Sequence, residues 1–433
     1  MEFKKNLLKR LFLEFQNNLP MKVFSRESEL PIGTNKIISV CGVRRSGKTF
    51  SMFDAINKLL KSGVHKQQIL FLSFDDERLQ LHQEELDLII QAYREIFPDI
   101  VMEKVYIFFD EIQMTDGWES FVRRIYDKET KHIFISGSNS KMLATDIATS
   151  LRGRSIQFEI FPLSFSEFCS FRKIESNIFT SKNETKLING FKDYLMYGGF
   201  PELVLNGYAH IEKILQEYYH IMLYKDLIER YNIKNIAVLK YFVARLLSNH
   251  TSPTSINKIY NEIKSSGLKT DKNLLYQLAE HLEAIYFTQR LRKYDNSVLK
   301  TELANERKVY FIDNGFLQAL KQSTSDDYEK LLENTVFLYY RRQSLFMRGL
   351  YFYKKNKECD FVIFDRDKPQ EIVQVCYDIT DISTKKREIE ALIEASAYLK
   401  CDNLKIVTLD NSQEVHVGDK IIQIVNVIDL MKN

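Results

Sequence analysis

One stretch decides the fold: Gly42-Val43-Arg44-Arg45-Ser46-Gly47-Lys48-Thr49, which completes the spacing GxxxxGK[ST]. It follows the apolar run Ile37–Cys41, and a helical periodicity begins where it ends. Gly42 and Gly47 let the backbone curl so that successive N–H groups point at phosphate oxygens, and the helix N-terminus adds partial positive charge. Lys48 can reach the β- and γ-phosphates, while the Thr49 hydroxyl is suited to binding Mg²⁺. The stretch therefore predicts a nucleotide-binding loop.

The other residues of this loop are predicted to contact the same ligand. A curled loop presents its backbone N–H groups to phosphate one after another, so the residues between the two glycines contribute at least their backbone. Besides Gly42, Gly47, Lys48 and Thr49, the predicted nucleotide-contacting residues are Arg44, Arg45, Ser46 and Phe50, the last of which directly follows Thr49. ATP and Mg²⁺ are the predicted cofactors.

A second apolar run, ending in two carboxylates, supports the same function. Val105–Phe109 is followed directly by Asp110 and Glu111. Asp110 is predicted to support the Mg²⁺, and Glu111 to polarise an attacking water as general base. A carboxylate pair after a strand is usually a solvated strand end, but its occurrence together with the glycine-rich loop favours the catalytic interpretation.

Two further segments carry candidate catalytic residues. The next predicted strand ends at Ser136-Gly137-Ser138-Asn139. In P-loop ATPases with a catalytic glutamate, this strand lies between the two motif strands, so Asn139 or Ser138 is predicted to hydrogen-bond the lytic water. A simple Gly-Ser turn explains either residue equally well. Arg152 or Arg154 is a candidate to stabilise the transferring phosphoryl group, from the same or a neighbouring chain, although surface arginines are common.

Strand-like and helix-like segments alternate through the first third of the chain. This alternation predicts an α/β fold in which crossover helices cover a parallel sheet. The predicted strands are short and rich in Ile, Val and Phe: Lys36–Cys41, Gln68–Phe74, Lys104–Phe109, Lys131–Ser136 and Ser155–Phe161.

The remainder of the chain changes character twice. From about Ser166 to Leu247 the periodicity is helical. A helix–turn–helix followed by a hairpin then gives the outline of a winged helix. The last hundred residues read as a helix, three strands, a helix and further strands. The predicted domains are a P-loop ATPase core at 1–165, a helical region at 166–247, a winged-helix-like domain at 248–320 and an α/β domain at 321–433.

Composition limits the functional classes. The 433 residues are 45% hydrophobic and 27% charged, which excludes a largely disordered chain. A net charge of +3 leaves polyanion binding only to a local patch. The five cysteines are scattered, which argues against a disulfide scaffold or a zinc module. Without a long apolar run or a signal-peptide pattern, the protein is expected to be cytoplasmic, with no membrane partner.

Motifs along most of the chain resemble prokaryotic AAA-type ATPases whose C-terminal domain is known only as a domain of unknown function. Besides the glycine-rich loop, the shared motifs are FDEIQ at 109–113, SGSNS at 136–140, the stretches 151–154 and 161–168, YGGFPE at 197–202, YFIDNG at 310–315 and ECDFV at 358–362. The resemblance implies an ASCE-type sheet, a winged helix after it and a restriction-endonuclease-like C-terminal domain. AAA-like cores often use an arginine from a neighbouring subunit, so an oligomer is one expectation.

The winged-helix segment suggests DNA as a partner. Its positive residues cluster at the turn, the second helix and the hairpin: Lys269, Lys272, Arg290, Arg292 and Lys293. Asn273 and Gln277 lie one turn apart on the predicted second helix and could reach base edges. Glu280 and Glu283 on the same helix argue against DNA, and a purely structural role is an equal alternative.

The C-terminal segment fits the PD-(D/E)xK nuclease plan only in part. Glu333, Asp360 and Gln374 match its acidic or amide positions, but Cys376 stands where a lysine is needed. Lys354 or Lys355 could substitute for that lysine. The prediction is an inactive fold that binds nucleic acid or a protein partner.

The predicted function is Mg²⁺-dependent ATP hydrolysis coupled to binding or remodelling of a nucleic-acid or protein partner. Two alternatives remain: a slow nucleotide-gated switch that binds a protein, and an ATP-dependent nuclease. The nuclease is disfavoured because Cys376 cannot supply the positive charge of a lysine.

Overall fold

A computed structural model describes residues 2–138, 151, 153–175, 180–321, 327–344, 349–409 and 412–432. The chain divides into two compact units, Met1–Phe161 and Pro162–Asn433. The first unit ends close to the boundary predicted after residue 165. The segments predicted as three separate domains, 166–247, 248–320 and 321–433, lie together in the second unit.

In the first unit, the described strands form one parallel five-stranded sheet in the order β2-β3-β4-β1-β5. The elements in chain order are α1 (Glu2–Asn17), β1 (Ile37–Cys41), α2 (Lys48–Lys61), β2 (Ile69–Ser73), α3 (Leu88–Ile96), β3 (Tyr106–Asp110), α4 (Trp118–Lys128), β4 (Ile133–Gly137) and β5 (Ser155–Glu159). The five predicted strands and their parallel arrangement are confirmed. So is the position of β4 between β1 and β3.

Burial explains why these strands form the centre of the unit. Every residue of β1 and of β4 is buried, as expected for parallel strands covered by helices on both faces. Met52 and Ile56 of α2 pack into a core with Phe108 of β3 and Phe134 of β4. The arrangement brings the carboxyl ends of β1, β3 and β4 to one edge of the sheet, which is where parallel sheets bind ligands.

In the second unit, the described strands form one mixed nine-stranded sheet, in the order β13-β14-β12-β11-β10-β9-β7-β8-β6. Its helices are α5 (Phe165–Arg172), α6 (Ser181–Tyr197), α7 (Pro201–Asn206), α8 (Ile211–Ile221), a π-helical stretch (Met222–Glu229), α9 (Ile236–Ser248), α10 (Ile256–Ser265), α11 (Lys272–Ala284), α12 (Val298–Leu303), α13 (Asn314–Ala319), α14 (Tyr328–Gln343), α15 (Ile382–Leu399) and α16 (Val427–Lys432). Its strands are β6 (Thr254–Ser255), β7 (Thr288–Lys293), β8 (Glu306–Phe311), β9 (Leu350–Lys354), β10 (Glu358–Asp365), β11 (Lys368–Val375), β12 (Leu404–Thr408), β13 (Gln413–Val417) and β14 (Lys420–Asn426).

The predicted division at residue 320 does not separate two sheets. Strand β7 pairs in parallel with β9, with Arg292 opposite Tyr351 and Lys293 opposite Phe352. The hairpin β7–β8 therefore continues the sheet of residues 350–426. Local sequence patterns do not reveal such a pairing, because the two strands lie far apart in the chain and no short loop joins them.

Within the second unit, the predicted element orders are found. Helices α10 and α11 are followed by the antiparallel pair β7 and β8, as predicted for 251–313. The connection between these two strands contains the short helix α12, which the sequence pattern did not predict. From residue 328 the order is a helix, three strands, a helix and a strand, also as predicted.

The motifs YGGFPE and YFIDNG meet in one buried junction. Gly198 has φ +75°, and a Cβ there would lie 1.7 Å from Oδ1 of Asp313. The Gly199 N–H donates to Oδ2 of Asp313 at 2.7 Å. Burial raises the pKa of the Asp313 carboxyl to about 7. The positive φ and missing side chain of Gly198 thus make room for a buried carboxylate.

Asn314 extends the same junction. Its side-chain nitrogen lies 2.9 and 3.0 Å from the carbonyl oxygens of Leu195 and Leu331 and 2.8 Å from the Thr335 hydroxyl, so its two N–H groups are shared among three acceptors. The side-chain carbonyl of Asn314 accepts from the side-chain amide of Asn334 at 2.8 Å. All these groups are buried, so each hydrogen bond replaces one that water would otherwise supply.

No helix among the described residues is long and apolar enough to cross a lipid bilayer.

The Asn314 junction gives a first prediction. Asn314→Ala should lower the free energy of unfolding by about 3 kcal/mol, because several buried polar groups lose their partner. Chemical denaturation with urea measures this loss. The control is Asn261→Ala on the exposed face of α10, which should change stability by less than about 0.5 kcal/mol. An equal effect of the two substitutions would contradict the structural role of the junction.

Candidate nucleotide site

The glycine-rich loop leaves β1 and enters α2 through backbone angles that favour glycine. Gly42 has φ +151° and Gly47 has φ +100°, and Arg45 between them has φ +64°. A Cβ on Gly42 would lie 2.1 Å from the carbonyl oxygen of Ile160. No side chain fits between the loop and this neighbouring segment, which explains the first glycine of the motif. Helix α2 begins at Lys48, so its N-terminal N–H groups lie at the loop.

The Lys48 ammonium is buried at the centre of the loop. It donates to the carbonyls of Gly42 and Val43, both at 3.2 Å, and lies 3.5 Å from Oε1 of Glu111. Only 5% of its side chain is exposed. A buried ammonium requires a negative partner, and Glu111 provides it.

Asp110 connects the loop to the two motif strands. Its Oδ2 accepts from the Thr49 hydroxyl at 2.8 Å, and its Oδ1 accepts from the Ser136 hydroxyl on β4. Burial raises the pKa of the Asp110 carboxyl, and the nearby Glu111 acts in the same direction, against the hydrogen bonds from Ser136 and Thr49. Asp110 and Thr49, the two predicted metal-binding residues, are thus brought together.

Glu111 is held in an ionised form within the same site. Burial alone would raise its pKa, but Lys48, the Gln113 amide and Arg44 outweigh burial and lower it. The backbone of Glu111 has φ +49°, and its N–H donates to the Ser136 hydroxyl at 3.0 Å. A carboxylate in this state can accept a proton from a bound water, which is the requirement for a general base.

Two buried hydroxyls at this edge have no hydrogen-bond partner among the described residues. They belong to Ser46 in the loop and to Ser138 directly after β4, and both side chains are buried. Buried hydroxyls without partners are costly, so each is a group that a polar ligand would satisfy. Ser138 was one of the two alternatives predicted to contact the lytic water.

The remaining predicted site residues divide into three groups. Arg44 is half-buried and acts on Glu111, whereas Arg45 is exposed. Phe50 is 55% exposed and meets Phe53 edge to face, with ring centroids 5.8 Å apart. Asn139 and Arg152 lie outside the described residues, and their roles stay predictions.

Arg154 is not brought to the loop of its own chain. Its carbonyl accepts from the Ile37 N–H at 2.8 Å, at the start of β1, and the loop follows the opposite end of that strand. Its guanidinium pairs with Asp127 at 3.1 Å. The structure therefore separates Arg154 from Lys48 and Glu111 within one chain, because β5 runs parallel to β1 and Arg154 precedes its first residue.

Three residues of the site were not predicted. Ser136 joins Asp110 to the backbone of Glu111, and Gln113 donates to the Glu111 carboxylate. The Arg26 guanidinium donates to the carbonyls of Ser46 and Phe161, both at 2.9 Å. Ser136 and Gln113 belong to the recognised motifs SGSNS and FDEIQ, so these motifs could have identified both as site residues. Arg26 lies in an irregular segment and has no pattern that marks it.

Among the described residues, no group of three His, Cys, Asp or Glu side chains is arranged to share a metal ion. Mg²⁺ does not need one, because it usually keeps several waters and binds one or two carboxylates together with phosphate oxygens. The oxygen groups of Thr49 and Asp110 fit that pattern.

The residues predicted to contact DNA differ in exposure and in charge pairing. Lys269, Lys272, Asn273 and Gln277 are exposed. Two of the predicted basic residues are neutralised: Arg290 pairs with Glu283, and Arg292 pairs with Glu302.

Of the residues predicted at nuclease-type positions in the C-terminal segment, two lie close together. Glu333 and Asp360 meet at one lysine, which is Lys308 of β8. The predicted substitutes lie elsewhere: Lys354 pairs with Glu358, and Lys355 lies over the Tyr398 ring.

A parallel sheet with this strand order, a glycine-rich loop after β1 and paired carboxylates after β3 defines a P-loop domain of the AAA type. Sequence comparison agrees: residues 34–169 match the family model of an AAA domain, and residues 188–327 match a domain of unknown function, DUF8612. The uncharacterized protein MJ1544 of Methanocaldococcus jannaschii is 36% identical over 408 residues, which cover 92% of this chain and 88% of that protein. The chain belongs to the family of AAA-domain proteins that includes MJ1544.

Other similarities are more distant. An uncharacterized protein of Haemophilus influenzae is 29% identical over 350 residues, covering 80% of this chain and 84% of that protein. The Walker-type ATPase PABY2304 of Pyrococcus abyssi aligns with 72% of this chain and 94% of its own, at 16% identity and a TM-score of 0.42. Cdc6p of Pyrobaculum aerophilum aligns with 77% of this chain and 94% of its own, at 11% identity and a TM-score of 0.27.

The ion pair at the site predicts a pH-dependent stability. Lys48→Met leaves Glu111 buried without its main positive partner, so the pKa of Glu111 should rise above its usual value. The folded state would then bind a proton that the unfolded state releases, and stability should fall as pH rises from 5 to 8. In the wild type the pKa of Glu111 is lowered, so its contribution persists throughout that range.

Thermal unfolding at several pH values tests this effect. The matched control is the double variant Lys48→Met/Glu111→Gln, whose stability should not show the added pH dependence. The ion-pair account fails if Lys48→Met follows the same pH profile as the wild type.

Proposed function

We propose that the protein is a Mg²⁺-dependent ATPase. The observation that carries this proposal is the convergence of Lys48, Thr49, Asp110 and Glu111 at one edge of the sheet, beside two buried hydroxyls without described partners. The loop N–H groups and the start of α2 would bind the phosphates, and Lys48 would neutralise the β- and γ-phosphates. The exposed ring of Phe50 offers a surface on which the adenine base can stack.

The metal is proposed to be held by Thr49 and supported by Asp110. Both present oxygen atoms, 2.8 Å apart, which suits a hard cation. When bound, Mg²⁺ neutralises charge that develops on the phosphate oxygens during transfer. Ser136 would keep Asp110 in position, because its hydroxyl donates to that carboxylate.

Glu111 is proposed as the general base. Its lowered pKa keeps it ionised near neutral pH, so it can take a proton from an attacking water. Lys48 would exchange its contact with Glu111 for phosphate oxygens, and this exchange frees the carboxylate to act on water. Ser138, or Asn139 beside it, would help to orient that water. An arginine of a neighbouring copy, Arg152 or Arg154, would stabilise the transferring phosphoryl group in an oligomer.

Two substitutions separate binding from turnover. Lys48→Ala should abolish tight ATP binding, whereas Glu111→Gln should retain binding and lower turnover at least about 100-fold, because only the proton acceptor is lost. Fluorescent-nucleotide titration and phosphate release measure the two effects. Glu119→Gln, in the first turn of α4, is the control and should leave both unchanged. Full turnover in Glu111→Gln would refute the assignment of the base.

We further propose that ATP turnover is coupled to a partner bound by the second unit, in the cytoplasm. The segment 254–311 is proposed to act as a winged helix that contacts DNA through Lys269 and Lys272 beside the exposed residues Asn273 and Gln277. The pairing of Arg290 and Arg292 with glutamates reduces the charge available at the hairpin. The contact is therefore proposed to centre on α11 and the turn before it.

The DNA proposal has a direct test. Lys269→Ala/Lys272→Ala should weaken binding of double-stranded DNA about 10-fold at 0.1 M salt and reduce the salt dependence, because two phosphate contacts are lost. Fluorescence anisotropy measures both quantities. The matched control is Lys182→Ala/Lys186→Ala on the exposed face of α6. Equal behaviour of the two double variants would instead favour a nucleotide-gated switch that binds a protein.

The C-terminal part is proposed to be a PD-(D/E)xK-like fold that binds a protein or nucleic-acid partner without cleaving it. Cys376 is buried, and burial raises the pKa of its thiol to about 12. A neutral thiol cannot stabilise the negative charge that develops in phosphodiester hydrolysis. Gln374, at the preceding motif position, donates to Glu388 and accepts from the backbone of Asp360, so its amide is already engaged.

A further inference from the structure

A lysine lies inside an acidic cluster of the second unit, far from any sequence pattern that would mark it. Lys308 is the third residue of β8, and its side chain is 1% exposed. Its Nζ is 2.7 Å from Oδ1 of Asp360, 3.0 Å from Oε1 of Glu333 and 3.0 Å from Oε1 of Glu358. An ammonium has three N–H groups, and here three carboxylates surround it.

Each carboxylate of this cluster also makes a further contact. The second oxygen of Asp360 accepts from the Val375 N–H at 2.9 Å. The Glu333 oxygen that faces Lys308 also accepts from the Tyr310 hydroxyl at 2.7 Å. Glu358, at the more exposed side, pairs additionally with Lys354 at 3.3 Å. Every member therefore has a described protein partner.

Charge explains why the lysine is required. Three carboxylates converging on one point repel each other, and proteins usually resolve such a cluster with a divalent cation or with protons. Burial and the neighbouring Asp360 raise the pKa of Glu333 to about 7, so the cluster is under electrostatic strain even with Lys308 present. Burial raises the pKa of the nearby Glu329, and the charges of Asp360 and Glu388 act in the same direction. Arg387 pairs with Glu388.

We propose that Lys308 is a built-in counter-ion, which balances the charge of this acidic cluster so that the native cluster is complete without metal. The inference is independent of the ATPase proposal, because it concerns residues of the second unit alone. The lysine comes from β8, Glu333 from α14, and the other two carboxylates from β10. Lys308 thereby joins the segment predicted as a winged helix to the segment predicted as a nuclease fold. Because all its protons face carboxylates, it has none to offer a phosphate or an attacking water.

The test compares Lys308→Met with the wild type, using the full chain in EDTA or in 2 mM MnCl₂. In EDTA at pH 8 the substitution should lower the unfolding temperature by about 10 °C, because it leaves a buried charge uncompensated. Mn²⁺ should restore at least half of that loss. The loss should also shrink at pH 5, where protons neutralise the carboxylates. The matched control is Lys354→Met, which removes a more exposed ammonium from Glu358 and should show neither rescue.

Two results would overturn the proposal. One is a wild-type protein that Mn²⁺ stabilises, with this effect lost in Asp360→Asn, since the native cluster would then bind metal. The other is a Lys308→Met variant whose stability does not respond to Mn²⁺. If Lys308→Met does not fold, Lys308→Met/Glu333→Gln carries one charge less and should fold. If this double variant does not fold at pH 5 either, where protons also neutralise the remaining carboxylates, charge is not the reason for the lysine.

Discussion

The contact between the Lys48 ammonium and the Glu111 carboxylate is the interaction on which the candidate site depends. It joins the loop after β1 to the strand end of β3, and it requires that β4 hold those two strands at the correct spacing. A buried ammonium is tolerated only beside negative charge, so the loop and the carboxylates must form together. Ser136 of β4 strengthens this arrangement, because its hydroxyl contacts both Asp110 and the backbone of Glu111.

Two buried lysines in this chain illustrate how surroundings decide function. Lys48 faces one carboxylate and two backbone carbonyls within a loop whose N–H groups suit an anion, so phosphate can replace its present partners. Lys308 faces three carboxylates from separate elements, and each is held by further contacts. The first arrangement can exchange partners with a ligand, and the second has the properties of a fixed structural charge. A buried lysine is therefore inferred to bind a ligand in the first unit, where it is Lys48, and to have a structural role in the second unit, where it is Lys308.

Much of the first unit could be predicted from sequence, because its information is local. The strand runs, the GxxxxGK[ST] loop and the carboxylates after β3 each lie within a few residues, and the strand order follows from the class of sheet. The second unit could be predicted only element by element. Pairing of β7 with β9 and the approach of Lys308 to Asp360 depend on residues about fifty positions apart or more, and no motif encodes such contacts. A lysine in a strand of alternating polar and apolar residues is expected to be exposed to solvent. Lys308 is instead buried among its carboxylate partners.

We expect phosphate oxygens to replace Glu111 as the partner of Lys48 when nucleotide binds. The most direct measurement is a crystal structure of the protein with Mg²⁺ and a non-hydrolysable ATP analogue. In that structure we expect Lys48 Nζ to contact β- and γ-phosphate oxygens and Thr49 to bind the metal. The Glu111 carboxylate should be released toward a water beside the γ-phosphate. A nucleotide bound elsewhere, or a Lys48 that still pairs with Glu111 while nucleotide is bound, would contradict it.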